Sequence, residues 1–147
     1  MTDARIKARK TWMSVLAKAA PARLAALLPD LPEHAVLRAP EIGAVMVRGR
    51  IGATGAPFNL GEMTVTRCSV RLAGGQVGHA WVQGRDKTHA TRAAVVDALM
   101  QSGDGVHLKA VVIDVLAGEA AARAAIRAGK AAATKVDFFT LVRGEDP

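Results

Sequence analysis

The sequence predicts an α+β fold: a largely antiparallel sheet of about four strands, with an N-terminal helical hairpin and two further helices packed on it. Three observations carry this. Apolar residues recur at helical spacing near the start, alternate with a period of two from about Val36, and return to helical spacing after Gly84. No regular strand–helix–strand alternation is present, which disfavours a parallel sheet. The 147 residues suit one domain with a continuous core.

Residues 4–18 read as an amphipathic helix with Thr2 or Asp3 as N-cap and an apolar stripe of Ile6, Met13, Leu16, Ala17 and Ala20. Pro21 breaks it and opens a second helix, Ala22–Leu28, which stops before Pro29 and Pro32 and completes a hairpin over 4–28. A strand region spans 36–85. Val45, Val47 and Ile51 alternate with Met46, Arg48 and Arg50, so two arginines lie opposite the apolar side. Glu62–Leu72 is a second long strand whose phase slips: Met63 and Val65 are odd-numbered, whereas Cys68, Val70 and Leu72 are even. A bulge near Thr66–Arg67 would reconcile its halves.

Ala73-Gly74-Gly75 supplies a tight turn into a return strand, Gln76–Gln83. Asp86 caps a helix over 86–101, stopped by Ser102-Gly103. Gly103–Lys109 reads as a loop and Val111–Leu116 as a short strand. An alanine-rich helix over 117–135 carries Arg123, Arg127, Lys130 and Lys135. The tail over 136–147 includes Phe138, Phe139, Leu141 and Val142, too apolar for water, and implies docking on the chain's own sheet or on a partner.

Composition excludes several classes. Twenty Lys+Arg against thirteen Asp+Glu give a net charge of +7, and mean hydropathy is +0.18. One cysteine, Cys68, cannot form an internal disulfide. No apolar run reaches the length of a membrane span, and the charged beginning is unlike a signal segment, so a cytoplasmic protein is expected. Two Trp, three Phe and no Tyr give few rings for stacking on single-stranded nucleic acid, and nucleic acid is not the expected partner.

The chemical motifs are incomplete. Residues 49–61 form a glycine-rich loop without the GK[ST] ending of a P-loop or the spacing of a dinucleotide fingerprint. Gly129-Lys130-Ala131 lies inside a helix and has Ala124 in place of the first glycine of a P-loop. Gly84-Arg85-Asp86-Lys87-Thr88-His89 sits at a strand-to-helix junction, where free amides and positive side chains suit an anion; the competing reading is a capped helix with solvated Arg85 and Lys87. Arg48, Arg50, Arg67 and Arg71 read as a positive sheet face. His34, His79, His89 and His107 show no metal-ligand spacing, so no metal is expected, and Cys68 reads as a small buried side chain. No catalytic set is complete. These features alone allow a stand-alone anion- or nucleic-acid-binding module.

Five segments in order carry a resemblance: Thr11–Ala17; Leu37–Gly43 with Val47–Arg50; Phe58–Cys68; Trp81–Asp86; and Val136–Gly144. Together they resemble the PhnG family, small subunits of the bacterial carbon–phosphorus lyase core complex, over about residues 9 to 144. The resemblance implies a hetero-oligomer with PhnH, PhnI and PhnJ, to which PhnK and PhnL are linked. It implies a role, with PhnI and PhnL, in displacing adenine from ATP by phosphonate to give ribose 1-alkylphosphonate 5-triphosphate. It implies no cofactor on this subunit alone; ATP is substrate of the complex, and S-adenosylmethionine and an iron–sulfur cluster belong to PhnJ. It supplies no catalytic residue. Arg48, Arg50, Arg67, Arg85, Lys87 and His89 are the residues expected near an anionic ligand or an interface, and Phe138, Phe139, Leu141 and Val142 those expected to dock.

Overall fold

The computed structural model describes residues 3–136. The tail residues Phe138, Phe139, Leu141 and Val142 lie outside them. Helices α1 (Asp3–Lys18) and α2 (Pro21–Leu27) form the expected hairpin, with Pro21 in the first turn of α2. Three strands follow in the described residues, β1 (His34–Arg50), β2 (Pro57–Leu72) and β3 (Val77–Gln83), in the order β1-β2-β3 and antiparallel throughout. Helix α3 (Lys87–Leu99) crosses one face of the sheet. A helical stretch completes the fold: α4 (Gly105–Leu108), a π-helical turn (Lys109–Ile113) and α5 (Asp114–Ala133).

The core lies between α3 and the even-numbered side chains of β2 and β3. Cys68, Val70, Ala80 and Val82 meet Ala90, Ala93, Ala94 and Ala98, closed at the sides by Leu16, Leu24 and Val112. The alanines bury little area each but let the helix lie close to the sheet. Gly78 takes this furthest: a Cβ there would collide with the carbonyl oxygen of Ala94. Gly75 adopts φ +87° in the turn between β2 and β3, as the sequence predicted for that hairpin.

A buried ion pair locks α1 onto this unit. Asp97 of α3 is fully buried and accepts from Arg9 Nε at 3.1 Å, Arg9 Nη2 at 2.6 Å, Trp12 Nε1 at 2.8 Å and the backbone N–H of His79 at 2.8 Å. Arg9 and Gln101 also donate to the carbonyl of Val77. The free edge of β3 is therefore capped by side chains where it passes α1. These partners choose the face of α1 that turns inward: Trp12, Leu16 and Ala19 are covered, while Ile6 and Ala20 of the expected stripe are exposed.

Several expectations are corrected. In the described residues the sheet has three strands where about four were expected, because Val111–Leu116 is helical. Leu108, Val112 and Leu116 recur every fourth residue and are buried, whereas Val111 is exposed. A short apolar run fits either period, and here the helical one matches the available cover. The π-helical turn also brings Lys109 Nζ within 2.7 Å of Asp114, five residues on. Of the two further helices only α3 packs on the sheet. Glu119 ties the first turns of α5 to Arg23 of α2 at 2.8 Å, and from Ala120 to Ala133 the helix is exposed.

The glycine-rich stretch 49–61 is mostly strand, because β1 runs to Arg50 and β2 begins at Pro57. The predicted bulge at Thr66–Arg67 is absent; register shifts fall instead between Val36 and Arg38, Arg38 and Glu41, and Val47 and Arg48 of β1. The phase slip has another cause. Thr66, Cys68, Val70 and Leu72 face α3, whereas Val65 and Met63 belong to the opposite face.

Removing the Asp97 carboxylate leaves Arg9, Trp12 and the His79 amide without their acceptor. Asp97→Ala is expected to lose about 3–5 kcal/mol in urea unfolding, and Asp97→Asn less, because it keeps one acceptor oxygen.

Candidate functional site: the open sheet face and its hairpin

The strand register builds a surface on the side away from α3. Glu41, Arg67 and Trp81 are successive cross-strand partners, as are Gly43, Val65 and Gln83, so these residues share one face. Arg67 lies over the Trp81 ring, 5.7 Å from its centroid, and its Nη2 contacts Glu41 Oε2 at 2.8 Å. Arg38 approaches the same carboxylate at 3.9 Å. Next along the strands, Ser69 Oγ and His79 Nδ1 form a hydrogen bond of 2.8 Å. This face is open to solvent, and Trp81 is half exposed.

Beyond Val65 the third strand ends, and residues 44–50 and 57–64 continue as a two-stranded ribbon. Val45 pairs with Met63 and Gly49 with Phe58, so the apolar face of the ribbon continues the Trp81 face. Leu60 and Phe58 both lie beside Gly49. Arg48 and Arg50 occupy the alternate positions on the ribbon's other face. At the tip, Gly52 and Ala53 take positive φ, the latter at +64°, which is strained for a side-chain-bearing residue.

The structure separates the residues the sequence singled out. Arg67 and Arg71 are on the open face, but Arg48 and Arg50 are on the opposite face of the ribbon, so the four do not form one positive surface. Arg85 and Lys87 are exposed at the start of α3, where Asp86 accepts the His89 amide at 2.9 Å as the expected N-cap. The His89 ring turns away from them into the core, and its Nε2 lies 3.1 Å from the carbonyl of Leu16. Asp86 and His89 thus meet through backbone rather than as an acid–base pair. Burial pushes the Cys68 thiol above its ordinary value, as suits a packed side chain rather than a thiolate nucleophile. Among the described residues no cluster of three or more His, Cys, Asp or Glu is placed to hold a metal ion, and no helix is long and apolar enough to cross a membrane.

Glu41, Ser69, His79 and Trp81 were not singled out as a group from the sequence. Their association depends on the β1–β2–β3 register, and the alternation of Arg67, Ser69 and Arg71 opposite His79 and Trp81 was the available signal.

The sequence model of the family described as phosphonate metabolism protein PhnG matches residues 7–144. The chain belongs to the PhnG family. A curated member, the alpha-D-ribose 1-methylphosphonate 5-triphosphate synthase subunit PhnG of Rhizobium meliloti (strain 1021), is 46% identical over 147 residues, covering 98% of this chain and 94% of that protein. The residues matched in this PhnG-family chain include the ribbon and the open sheet face.

His89 makes stability depend on pH. Its pKa lies below the ordinary histidine value, first because burial disfavours the charged ring, an effect the Leu16 carbonyl and Asp86 oppose and Arg92 adds to. The unfolded chain therefore binds the proton more readily. Stability is full above about pH 6.5 and declines as pH falls from there toward the lower folded-state pKa. Urea titrations of native protein and His89→Gln across pH 5–8 are expected to show a shallower decline in the variant.

Proposed function

We propose that this chain is a non-autonomous, cytoplasmic subunit of a carbon–phosphorus lyase core complex. With PhnH-, PhnI- and PhnL-type subunits it supports the ATP-dependent formation of ribose 1-alkylphosphonate 5-triphosphate during organic phosphonate catabolism. In that reaction a phosphonate oxygen forms the new bond to C1′ of the ATP ribose, and adenine leaves as the C1′–N bond breaks. PhnJ- and PhnK-type subunits complete the assembly. S-adenosylmethionine and an iron–sulfur cluster belong to the PhnJ-type subunit, and this chain holds no cofactor of its own.

The observation that carries this reading is the near end-to-end likeness to a synthase subunit. The site geometry agrees with it. The described residues offer ion pairs, a solvated Ser–His pair and exposed arginines rather than an assembled nucleophile, base and oxyanion site. Arg85 and Lys87 project from a helix start, where they can face a phosphate or phosphonate group held mainly by another subunit. Arg67, Arg48 and Arg50 act at interfaces, His89 acts inside the core, and Phe138, Phe139, Leu141 and Val142 dock the tail on a partner.

Expression of the tagged chain with its neighbouring phosphonate-utilisation subunits is expected to recover them in fixed stoichiometry. The purified chain alone is expected to turn over no ATP. A free monomer binding nucleic acid with steep salt dependence would overturn the assignment. Arg85→Ala with Lys87→Ala is expected to abolish growth on phosphonate while the assembly still purifies; unchanged growth with intact assembly would remove these two residues from the anion site.

A further inference from the structure

We infer that the β1–β2 ribbon beyond Val65, together with the Trp81 face it continues, is an insertion arm for a different subunit, received in an apolar groove bordered by carboxylates. The inference rests on the subunit reading above and names the surface and the partner chemistry.

The ribbon lacks its own support. Residues 44–50 and 57–64 have strand partners only in each other, and β3 ends opposite Val65. A two-stranded hairpin alone is marginal in water. Yet this one carries a continuous apolar stripe: Trp81, Val65, Met63, Val45, Val47 and Phe58 share one face by register. Val65 is nearly covered, whereas Phe58, Leu60 and Trp81 are exposed at 40%, 65% and 49%. The alternation along β2 changes phase because this stripe faces away from the protein's own core. The chain thus builds a second apolar face that its described elements leave open.

Charge selects the occupant. The β1–β2 hairpin holds five arginines (38, 48, 50, 67 and 71) against two glutamates, Glu41 and Glu62. Glu41 is already engaged by Arg67 and Arg38, and Arg48 and Arg71 make no ion pair among the described residues. A second copy docking by two-fold symmetry would set the same arginines against each other. A nucleic acid would satisfy the arginines but leave the aliphatic stripe in water. An apolar groove with acidic margins satisfies both, taking Phe58 and Leu60 as anchors while its carboxylates reach Arg48 on the far face of the ribbon.

The test uses the complete assembly co-expressed with affinity-tagged chain. Phe58→Ser with Leu60→Ser is expected to lower recovery of partner subunits about tenfold or more. Arg48→Glu is expected to lower it as well, and Arg48→Lys to retain it. Val106→Ser, at an exposed apolar residue away from the arm, is expected to leave recovery unchanged. Because the tip lies outside the Asp97-centred core, thermal unfolding of each isolated variant should match that of the native chain. Native-level recovery with the double variant, at native stability, would overturn the arm assignment and leave the subunit reading standing. A dimer of the isolated native chain that the double variant abolishes would assign the arm to a second copy and overturn it. If the native chain recovers no partner, both readings fall.

Discussion

One buried carboxylate organises this fold. Asp97 has no access to water and takes four N–H donors from a helix at one end of the chain and a strand in its middle. Burying a charge is costly unless its hydrogen-bonding capacity is met, so the arrangement works only when α1, β3 and α3 come together. It aligns Trp12 for burial and brings α1 across the free edge of β3. With Gln101 it also supplies partners to backbone groups that a fourth strand would otherwise use. A three-stranded sheet can therefore stop at β3 in this region without leaving that edge as a template for aggregation.

The same docking divides the sheet into two environments. Against α3, alanines and Gly78 permit close approach and a dry core. On the other side, Arg67, Trp81 and Glu41 form a polar, ring-bearing face that runs into the apolar stripe of the ribbon. Exposed α5 and the extended ribbon have in common that their side chains lack cover from the described elements. Such elements fit a protein whose final packing is shared with other chains. The likeness to a synthase subunit and this uncovered surface support the same functional reading by separate routes.

Much of the local structure was legible from residue chemistry. Pro21 marked the second helix, Gly74-Gly75 the β2–β3 turn, and Asp86 the cap of α3, because each acts through its own backbone or within three residues. Val111–Leu116 was not legible: six apolar-rich residues suit either period, and the choice depended on which neighbours could cover Val112 and Leu116. The phase slip in β2 was visible, but a bulge and a change of covered face leave similar patterns in one strand. For the site, Arg67 and the α3 junction stood out by residue type. Grouping Arg67 with Trp81 and Glu41, or turning His89 away from Arg85 and Lys87, required the strand register and the helix rotation.

The sequence by itself determined the α+β class, the β2–β3 hairpin, the starts of α2 and α3 and the family, because these follow from periodicity, turn chemistry and the order of residues along the chain. Only the tertiary structure decided that the sheet has three strands in the described region, that Asp97 joins Arg9, Trp12 and His79, and that the apolar ribbon faces away from the core. Those outcomes depend on contacts between residues up to 88 positions apart. Local propensity is silent about such pairings, and the burial of one carboxylate settles several of them together.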